Sequence, residues 1–464
     1  MIPPPAPRME TLSPWALRPT IRAGVLHPLD TGQIPALIRP SPGGLLPTGA
    51  LRAYGDACVN PGGLHLSTNA LTQILEFDTT TGVLVCESGV TLRTILDRTA
   101  ASGWFLPVVP GTMFSSIGGA ISCDVHGKSH HMHGSFSSCV SHFELITANG
   151  ETHLCSREHN TELFWATMGG LGQTGVITRA ALQLVSVRSS YISMQHAKTK
   201  DLQQTLELCL SLEDDFSVCW VDSLARGKHL GKGVLMVGHH ASAQEVTELS
   251  PKLEPFSAPR EFHLTLPFFI PSAFTGKWTW RAFNAAYYAF EGRHPPHRLL
   301  HFRPYFFPLD GVAHWNRIYG RKGFIEYQFA VPIAAAERVC REVLERLSAS
   351  GNGSFLAVLK RLGPASPGHL SFPIEGITLA IDMPAGGPDQ AAILARLDSV
   401  VARAGGRIYL VKDSRMDASL IPTMYPRQRE WAEIVNRHDP DGIFTSSLVR
   451  RLNLRGDLGT TRSI

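Results

Sequence analysis

Eight cysteines lie scattered at positions 58, 86, 123, 139, 155, 209, 219 and 340, with no C-x-x-C pair and no short-spaced cluster. That spacing excludes a disulfide framework or a zinc ribbon. A chain of 464 residues is long enough to bury large cores unaided, so reduced thiols in a cytoplasmic setting are expected. Long apolar runs are missing as well. The opening MIPPPAPRMETLSPWALRPT holds no apolar core of about 7–15 residues, and no window reaches roughly 18 uncharged apolar residues, so neither a cleaved signal nor a membrane-spanning segment is expected. Charge of one sign is not in excess: 43 Lys and Arg stand against 39 Asp and Glu, which gives no electrostatic footprint for nucleic acid. No internal repeat is visible, and 44% hydrophobic with 18% charged residues excludes a disordered chain or a coiled coil.

What is present is a succession of short β-rich runs separated by glycine and proline, which number 42 and 32. Over residues 52–187 the runs LTQILEFD, GVLVCESGV, VSHFELITANG and GVITRAALQLVSV read as strands. TLRTILDRTAASG, with Leu92, Ile95 and Leu96 on one face, and TELFWATMGG read as helices. Asn149-Gly150 predicts a hairpin turn because both residues tolerate positive φ. After Val187 long helical patterns (TKDLQQTLELCLSLEDD, PIAAAERVCREVLERLSASG) flank the strands FIEYQFAVP, FLAVLKRLG and GITLAIDMP. The chain is therefore expected to be α+β in two domains: residues 1–187, completed by 405–464, and residues 188–404, a sheet backed by helices.

Residues 261–310 interleave Phe262, Phe268, Phe269, Phe274, Trp278, Trp280, Phe283, Tyr287, Tyr288 and Phe290 with Lys277, Arg281, Arg293 and Arg298. Two readings stand: an aromatic core segment, or a lid or interfacial surface that receives a greasy anionic substrate and touches a membrane peripherally.

Three glycine-rich stretches mark the first domain: GALRAYGDA (49–57), PGTMFSSIGGAISCDVHGKSHHMHGSF (110–136) and MGGLGQTGV (168–176). Glycines at strand ends let backbone N–H groups approach and bind anionic oxygens. None fits G-x-G-x-x-G or G-x-x-x-x-G-K-[ST], so an anion site of another design is implied. The histidines of H-x3-HH-x-H have no carboxylate or thiolate at a usual ligand spacing, and no metal is expected.

The order AYGD, PGT-x5-GGAI-x-CD-x-HGK-x-HH-x-x-GSF and ELFWAT-x-GG-x-G-x-TG resembles the PCMH-type FAD-binding domain of the vanillyl-alcohol oxidase superfamily. FIEYQFAVP, LKRLGPASPGHLSFPIEG, GGRIYLVKDSR, MYPR-x4-W and FTSSLVRRLNL sharpen the resemblance to the decaprenylphosphoryl-β-D-ribose oxidase family, over residues 45–455. It implies an FAD-dependent oxidation of a secondary sugar hydroxyl, the 2′-OH of a polyprenylphosphoryl ribose. That is the first half of an epimerisation completed by a separate ketoreductase. A soluble carbohydrate, alditol or aldonolactone oxidase and a non-catalytic flavin-binding subunit are the alternatives.

The resemblance places FAD against Gly49, Arg52, Ala53, Tyr54, Gly55, Asp56 and Ala57, and against Gly111, Ser116, Ile117, Gly118 and Gly119. Its ring would lie near Cys123, Asp124, His126, Val176 and Tyr409. Relatives that bind flavin covalently carry histidine where Arg52 stands, which implies non-covalent FAD. Lys412, His126 and Tyr54 match catalytic positions, and Lys128, Tyr305, Gln328, Lys360 and Lys412 match substrate positions. A lysine beside the ring serves as base if its pKa falls, or as a cation if it stays charged. Lys360 is expected to meet a substrate phosphate.

The chain departs from the family on the substrate side. Glu326 replaces a glutamine, Phe306-Phe307 replaces Tyr-His with Tyr305 one place earlier, and Thr378 and Ala380 stand for Asn and Cys. A carboxylate at 326 repels a phosphate unless it is paired or turned away.

Overall fold

The β-rich runs of the first half form two sheets. In the computed structural model, which describes residues 6–211, 213–257, 264–271, 274–387 and 389–456, Leu64–Ser67 lies parallel to both Ile21–Leu26 and Leu45–Thr48, and Arg8–Leu12 completes a four-stranded sheet. Five antiparallel strands follow in the order Ile74–Phe77, Val83–Glu87, Val176–Gln183, Val140–Ile146, Thr152–Ser156. The hairpin between the last two turns at Gly150 (φ 81°), and the Asn149 side-chain carbonyl accepts from Thr147 Oγ1 (2.7 Å) and Glu151 N (3.1 Å). The helix Leu92–Thr99 starts where Thr91 Oγ1 accepts from Thr94 N, and it buries Leu92, Ile95 and Leu96 at helical spacing. The helix Thr161–Thr167 occupies the TELFWAT run.

The second half is one antiparallel sheet of eight strands, ordered His297–His301, Tyr191–Thr199, Gly233–His240, Phe216–Val221, Ala357–Leu362, Gly376–Pro384, Phe324–Val331, Arg407–Ile408. The helices Leu202–Leu210, Ile333–Ser350 and Gln390–Arg403 cover one face and bury Leu206, Val339, Val343, Leu347, Leu394 and Leu397. Alternation along the strands sorts the residues. Tyr327, Phe329, Leu359, Leu379 and Ile381 join that core, while Glu326, Gln328, Val358, Lys360, Ala380 and Asp382 point the other way, into a cavity shared with the first half.

The C-terminal segment serves both halves. Arg407–Ile408 extends the eight-stranded sheet and Tyr409 N donates to Gln328 O (3.0 Å), which places Tyr409, Val411 and Lys412 at the cavity wall. Further on the chain returns to the first half, with Leu45 N donating to Ile443 O (2.7 Å) and Ser447 N to Val59 O (2.9 Å). The Arg451 guanidinium there bridges Asp56 (2.9 Å) and Asp413 (2.8 Å). All eight cysteines are unpaired, and no helix among the described residues is long and apolar enough to cross a membrane.

Candidate active site

A cavity of about 810 Å³ lies between the glycine-rich loops of the first half and the polar face of the eight-stranded sheet, within the roughly 300–1,000 Å³ typical of ligand sites. Its first wall is a cradle of closely packed loops. A Cβ on Gly49 would stand 2.1 Å from Ser116 Oγ, and one on Gly118 3.1 Å from Ser88 Cβ, so larger residues would force the two serines aside. Leu51 adopts φ 51°, and the amides of residues 50–53 donate to no acceptor among the described residues. Such a run of unpaired N–H groups is an anion-binding concavity. Arg52 adds a cation beside it, its guanidinium over the rings of Trp15 (4.4 Å) and Phe114 (5.3 Å) and its Nε without a partner. Ser88 Oγ is likewise buried and unpaired at this wall. These donors and the cation fit the diphosphate of FAD.

Of the positions matched to the cofactor, Gly49, Arg52, Ala53, Tyr54, Ala57, Gly111, Ser116, Gly118, Gly119, Cys123, His126 and Tyr409 line the cavity. The others stand behind its wall. Gly55 is pressed on the Asp413 carbonyl, where a Cβ would come within 1.8 Å, and Asp56 is held in two hydrogen bonds by Arg451. Ile117 and Val176 are core residues, with Gly175 and Ile177 at the wall instead. The buried Asp124 carboxylate accepts from Ser137 N (2.8 Å) and Ser371 Oγ (2.5 Å), pinning the 123–126 turn. Burial pushes the Cys123 thiol up to about 12, so it remains protonated.

At the far end Lys412 Nζ donates to Glu326 Oε2 (3.0 Å) and lies 3.2 Å from the centre of the Tyr54 ring. Glu326 faces Asp382 directly across two antiparallel strands. Burial first, and then the Glu326 charge, hold the Asp382 carboxyl well above the usual carboxylate range, and Tyr319 OH reaches it at 3.4 Å. Lys412, Glu326 and Asp382 thus meet in one corner of the cavity, with Asp382 the acid whose proton is held most firmly. Burial, then Glu326 and Asp382, keep the Tyr54 hydroxyl protonated too.

Hydrogen bonding fixes the tautomer of His126. The Thr378 hydroxyl donates to Phe329 O (2.8 Å), so it accepts from the Gln328 amide (3.2 Å), and that same amide donates to His126 Nε2 (3.1 Å). His126 therefore carries its proton on Nδ1, a buried nitrogen without a partner. Burial, Lys360 and His130 pull its pKa well below the usual range, which keeps the ring neutral. Thr378 does not reach the cavity; it acts only through Gln328.

Two more cations line the sheet side. Burial, then Lys360, pulls Lys128 down to about 7, and burial pulls Lys360 down to about 8 against the opposing pull of Glu326. Lys128 Nζ donates to the Tyr305 carbonyl and lies 4.2 Å over that ring. Tyr305 itself is turned into the aromatic core of Phe216 and Phe306, so its expected place against the substrate is corrected: it positions Lys128 from behind. His130 and His131 are spent on Gly363 N and the Asp214 carbonyl, and no trio of metal-ligating side chains occurs among the described residues.

Asp310, Asp382 and Trp15 also line the cavity, and none was marked in the sequence. Asp310 ties the two halves together by accepting from Thr112 Oγ1 (2.8 Å) and Met113 N (2.7 Å). Strand alternation would have found Asp382 once its register against Glu326 was known.

The FAD binding domain family matches residues 24–156. The chain is 36% identical over 422 residues to the decaprenylphosphoryl-β-D-ribose oxidase of Mycolicibacterium smegmatis, covering 89% of each chain. An uncharacterized protein of Streptomyces coelicolor is 34% identical over 373 residues, 79% of this chain and 100% of the relative. A putative D-arabinono-1,4-lactone oxidase of Neurospora crassa is 30% identical over only 148 residues, 32% of this chain and 26% of the relative. With the cradle, the cations that line the cavity and this coverage together, the chain belongs to the decaprenylphosphoryl-β-D-ribose oxidase family and is an FAD-dependent oxidoreductase.

Proposed function

We propose that the protein oxidises the 2′-hydroxyl of a polyprenylphosphoryl-β-D-ribose to a ketone, with FAD held non-covalently. The observation that carries this reading is the convergence of two half-buried lysines, Lys128 and Lys360, neither ion-paired among the described residues, on the cavity that also holds the Lys412–Glu326 pair. The lysines supply charge for one phosphate, and the pair supplies a proton acceptor for a hydroxyl. FAD, when bound, would supply the two-electron acceptor for the hydride of the carbinol carbon. The amides of residues 50–53, Arg52 and Ser88 would hold its diphosphate, and Cys123, His126 and Tyr409 would border its ring.

The remaining roles follow from charge. Lys412, paired with Glu326 at 3.0 Å, favours negative charge that builds beside it. Glu326 takes the hydroxyl proton as the carbon gives up its hydride. His126 Nδ1–H, held by Gln328, donates to an oxygen in the cavity. The carboxylate at 326 is neutralised by Lys412, so it does not repel the phosphate that Lys128 and Lys360 receive.

In this reading the domain boundary runs between residues 1–187 with 405–464 and residues 188–404. The protein works at the cytoplasmic side, touches a membrane peripherally, and passes its ketone to a separate ketoreductase. Anaerobic mixing of the FAD-loaded protein with candidate substrates tests the assignment. Bleaching by a polyprenylphosphoryl ribose supports it, whereas bleaching by free polyols alone would transfer the protein to the soluble sugar oxidases.

A further inference from the structure

The helix Lys277–Glu291 is built inside out. Its inward stripe carries Trp280, Asn284 and Glu291, all buried. Asn284 donates to the Asp222 carboxylate (2.8 Å) and to the Ser354 carbonyl (3.3 Å), and Glu291 pairs with Arg298 (3.1 Å). Its outward side shows Trp278, Phe283 and Phe290, which are 70%, 46% and 55% exposed, with alanines between them. Phe274, just ahead of the helix, is 65% exposed. A helix that faces water distributes its residues the other way, and a contiguous apolar patch of this kind marks a contact surface.

The charge around the patch says what that contact is. Lys277 and Arg281 stand 5.5 and 5.2 Å from the centre of the Trp278 ring, and Arg293 follows the helix. From residue 264 to residue 309 the single acidic residue is Glu291, which is committed to Arg298. Aromatic rings among unopposed cations suit the headgroup layer of an anionic bilayer, where rings enter the acyl boundary and cations meet phosphates. A second copy docked face to face would set Lys277, Arg281 and Arg293 against themselves, which disfavours a symmetric dimer here.

The patch is also continuous with the active site. Phe283 and Tyr287 border the main cavity together with Phe355 and Leu356, and they border a shallow groove of about 450 Å³ that runs past Ala286 to Phe290 and Arg293. We propose that the outward face of the helix Lys277–Glu291 docks on an anionic membrane, and that the groove along Phe283, Tyr287 and Phe290 carries the lipid tail of the substrate from the bilayer to the site. The tail route rests on the lipid-linked substrate proposed above; the docking surface does not.

Co-sedimentation of the FAD-loaded full chain with vesicles tests the docking. Binding is expected to phosphatidylcholine vesicles that contain phosphatidylglycerol, with release as salt rises, and not to phosphatidylcholine alone. Trp278→Ser/Arg281→Glu should weaken it by at least about tenfold, since each surface cation contributes about 1 kcal/mol. Trp278 is exposed and Arg281 half-buried, and neither borders the cavity, so flavin retention and turnover of a water-soluble short-chain phosphoryl ribose should stay unchanged; Lys277→Glu/Arg281→Glu is the second variant if the first folds poorly. Equal binding to both vesicle types, no binding to either, or dissociation of a dimer by the variant in sedimentation velocity would each overturn the docking surface. Vesicle binding with flavin bleached only by soluble sugars would keep the docking and remove the tail route with the substrate reading.

Discussion

The Lys412 ammonium stands 3.0 Å from the Glu326 carboxylate on a strand whose opposite neighbour places Asp382 directly across from Glu326. Three titratable groups thus share one corner of the cavity, and the division of charge among them decides which one can take a proton.

Glu326→Gln removes the acceptor while keeping the side-chain size. FAD uptake should be unchanged, because residue 326 lies on the sheet and not on the cradle. The rate of flavin reduction, followed anaerobically by stopped flow, should fall on the order of 100-fold or more. The buried proton on Asp382 should also become easier to remove, since the charge opposing its ionisation is gone; the carboxyl stretch in infrared difference spectra reads this directly. An unchanged reduction rate would return the proton to some other group.

Lys412→Met leaves the Glu326 carboxylate half-enclosed without its partner. The protein should lose up to about 3 kcal/mol in denaturant unfolding, and Lys412→Met/Glu326→Gln should recover most of that. Flavin reduction should be abolished in both, with FAD retained. Additive losses in the double variant would mean the two side chains act independently.

The two depressed lysines set a pH window. A phosphate needs them charged, and in the free protein Lys128 loses its proton around pH 7 and Lys360 around pH 8. KM for a phosphoryl substrate should therefore rise as pH climbs through this range and fall below it, while KM for an uncharged sugar stays level. Lys360→Arg, which keeps its charge, should flatten the upper part of the rise. A KM that rises on acidification would contradict the sign.

Arg451 ties the C-terminal segment to the cofactor loop through Asp56 and Asp413, the neighbour of Lys412. Arg451→Met strands two buried carboxylates and should cost about 3–5 kcal/mol in unfolding free energy. FAD should then be lost during gel filtration, because Gly55 and Asp413 no longer pack; a variant that keeps both stability and FAD would show the tether to be idle.

Much of this site was legible in the chain. The run Glu326-Tyr327-Gln328-Phe329 alternates polar and aromatic, and the structure sends Glu326 and Gln328 to the cavity and Tyr327 and Phe329 to the core. Gly49 and Gly118 lie at the cavity wall packed on Ser116 and Ser88, within the glycine-rich runs. Tyr305 was not legible: nothing local shows that Lys128 would take its carbonyl and leave the ring in the core. Asp382 and Asp310 needed a strand register and a contact between the two halves, and neither is written in neighbouring residues. The aromatic helix left two readings open because an apolar stripe at helical spacing does not say which side faces inward. Asn284 and Glu291, buried with polar partners, mark the inward side of residues 277–291, while Phe262 lies outside the described residues.

The most direct measurement is a titration of purified protein with FAD, followed by anaerobic addition of a polyprenylphosphoryl-β-D-ribose and product analysis by NMR. One tightly held flavin per chain, released by acid precipitation, bleached by the lipid sugar and yielding its 2′-ketone, is the predicted result. A protein that folds yet takes up no FAD, or whose flavin stays oxidised with that substrate, would contradict the account.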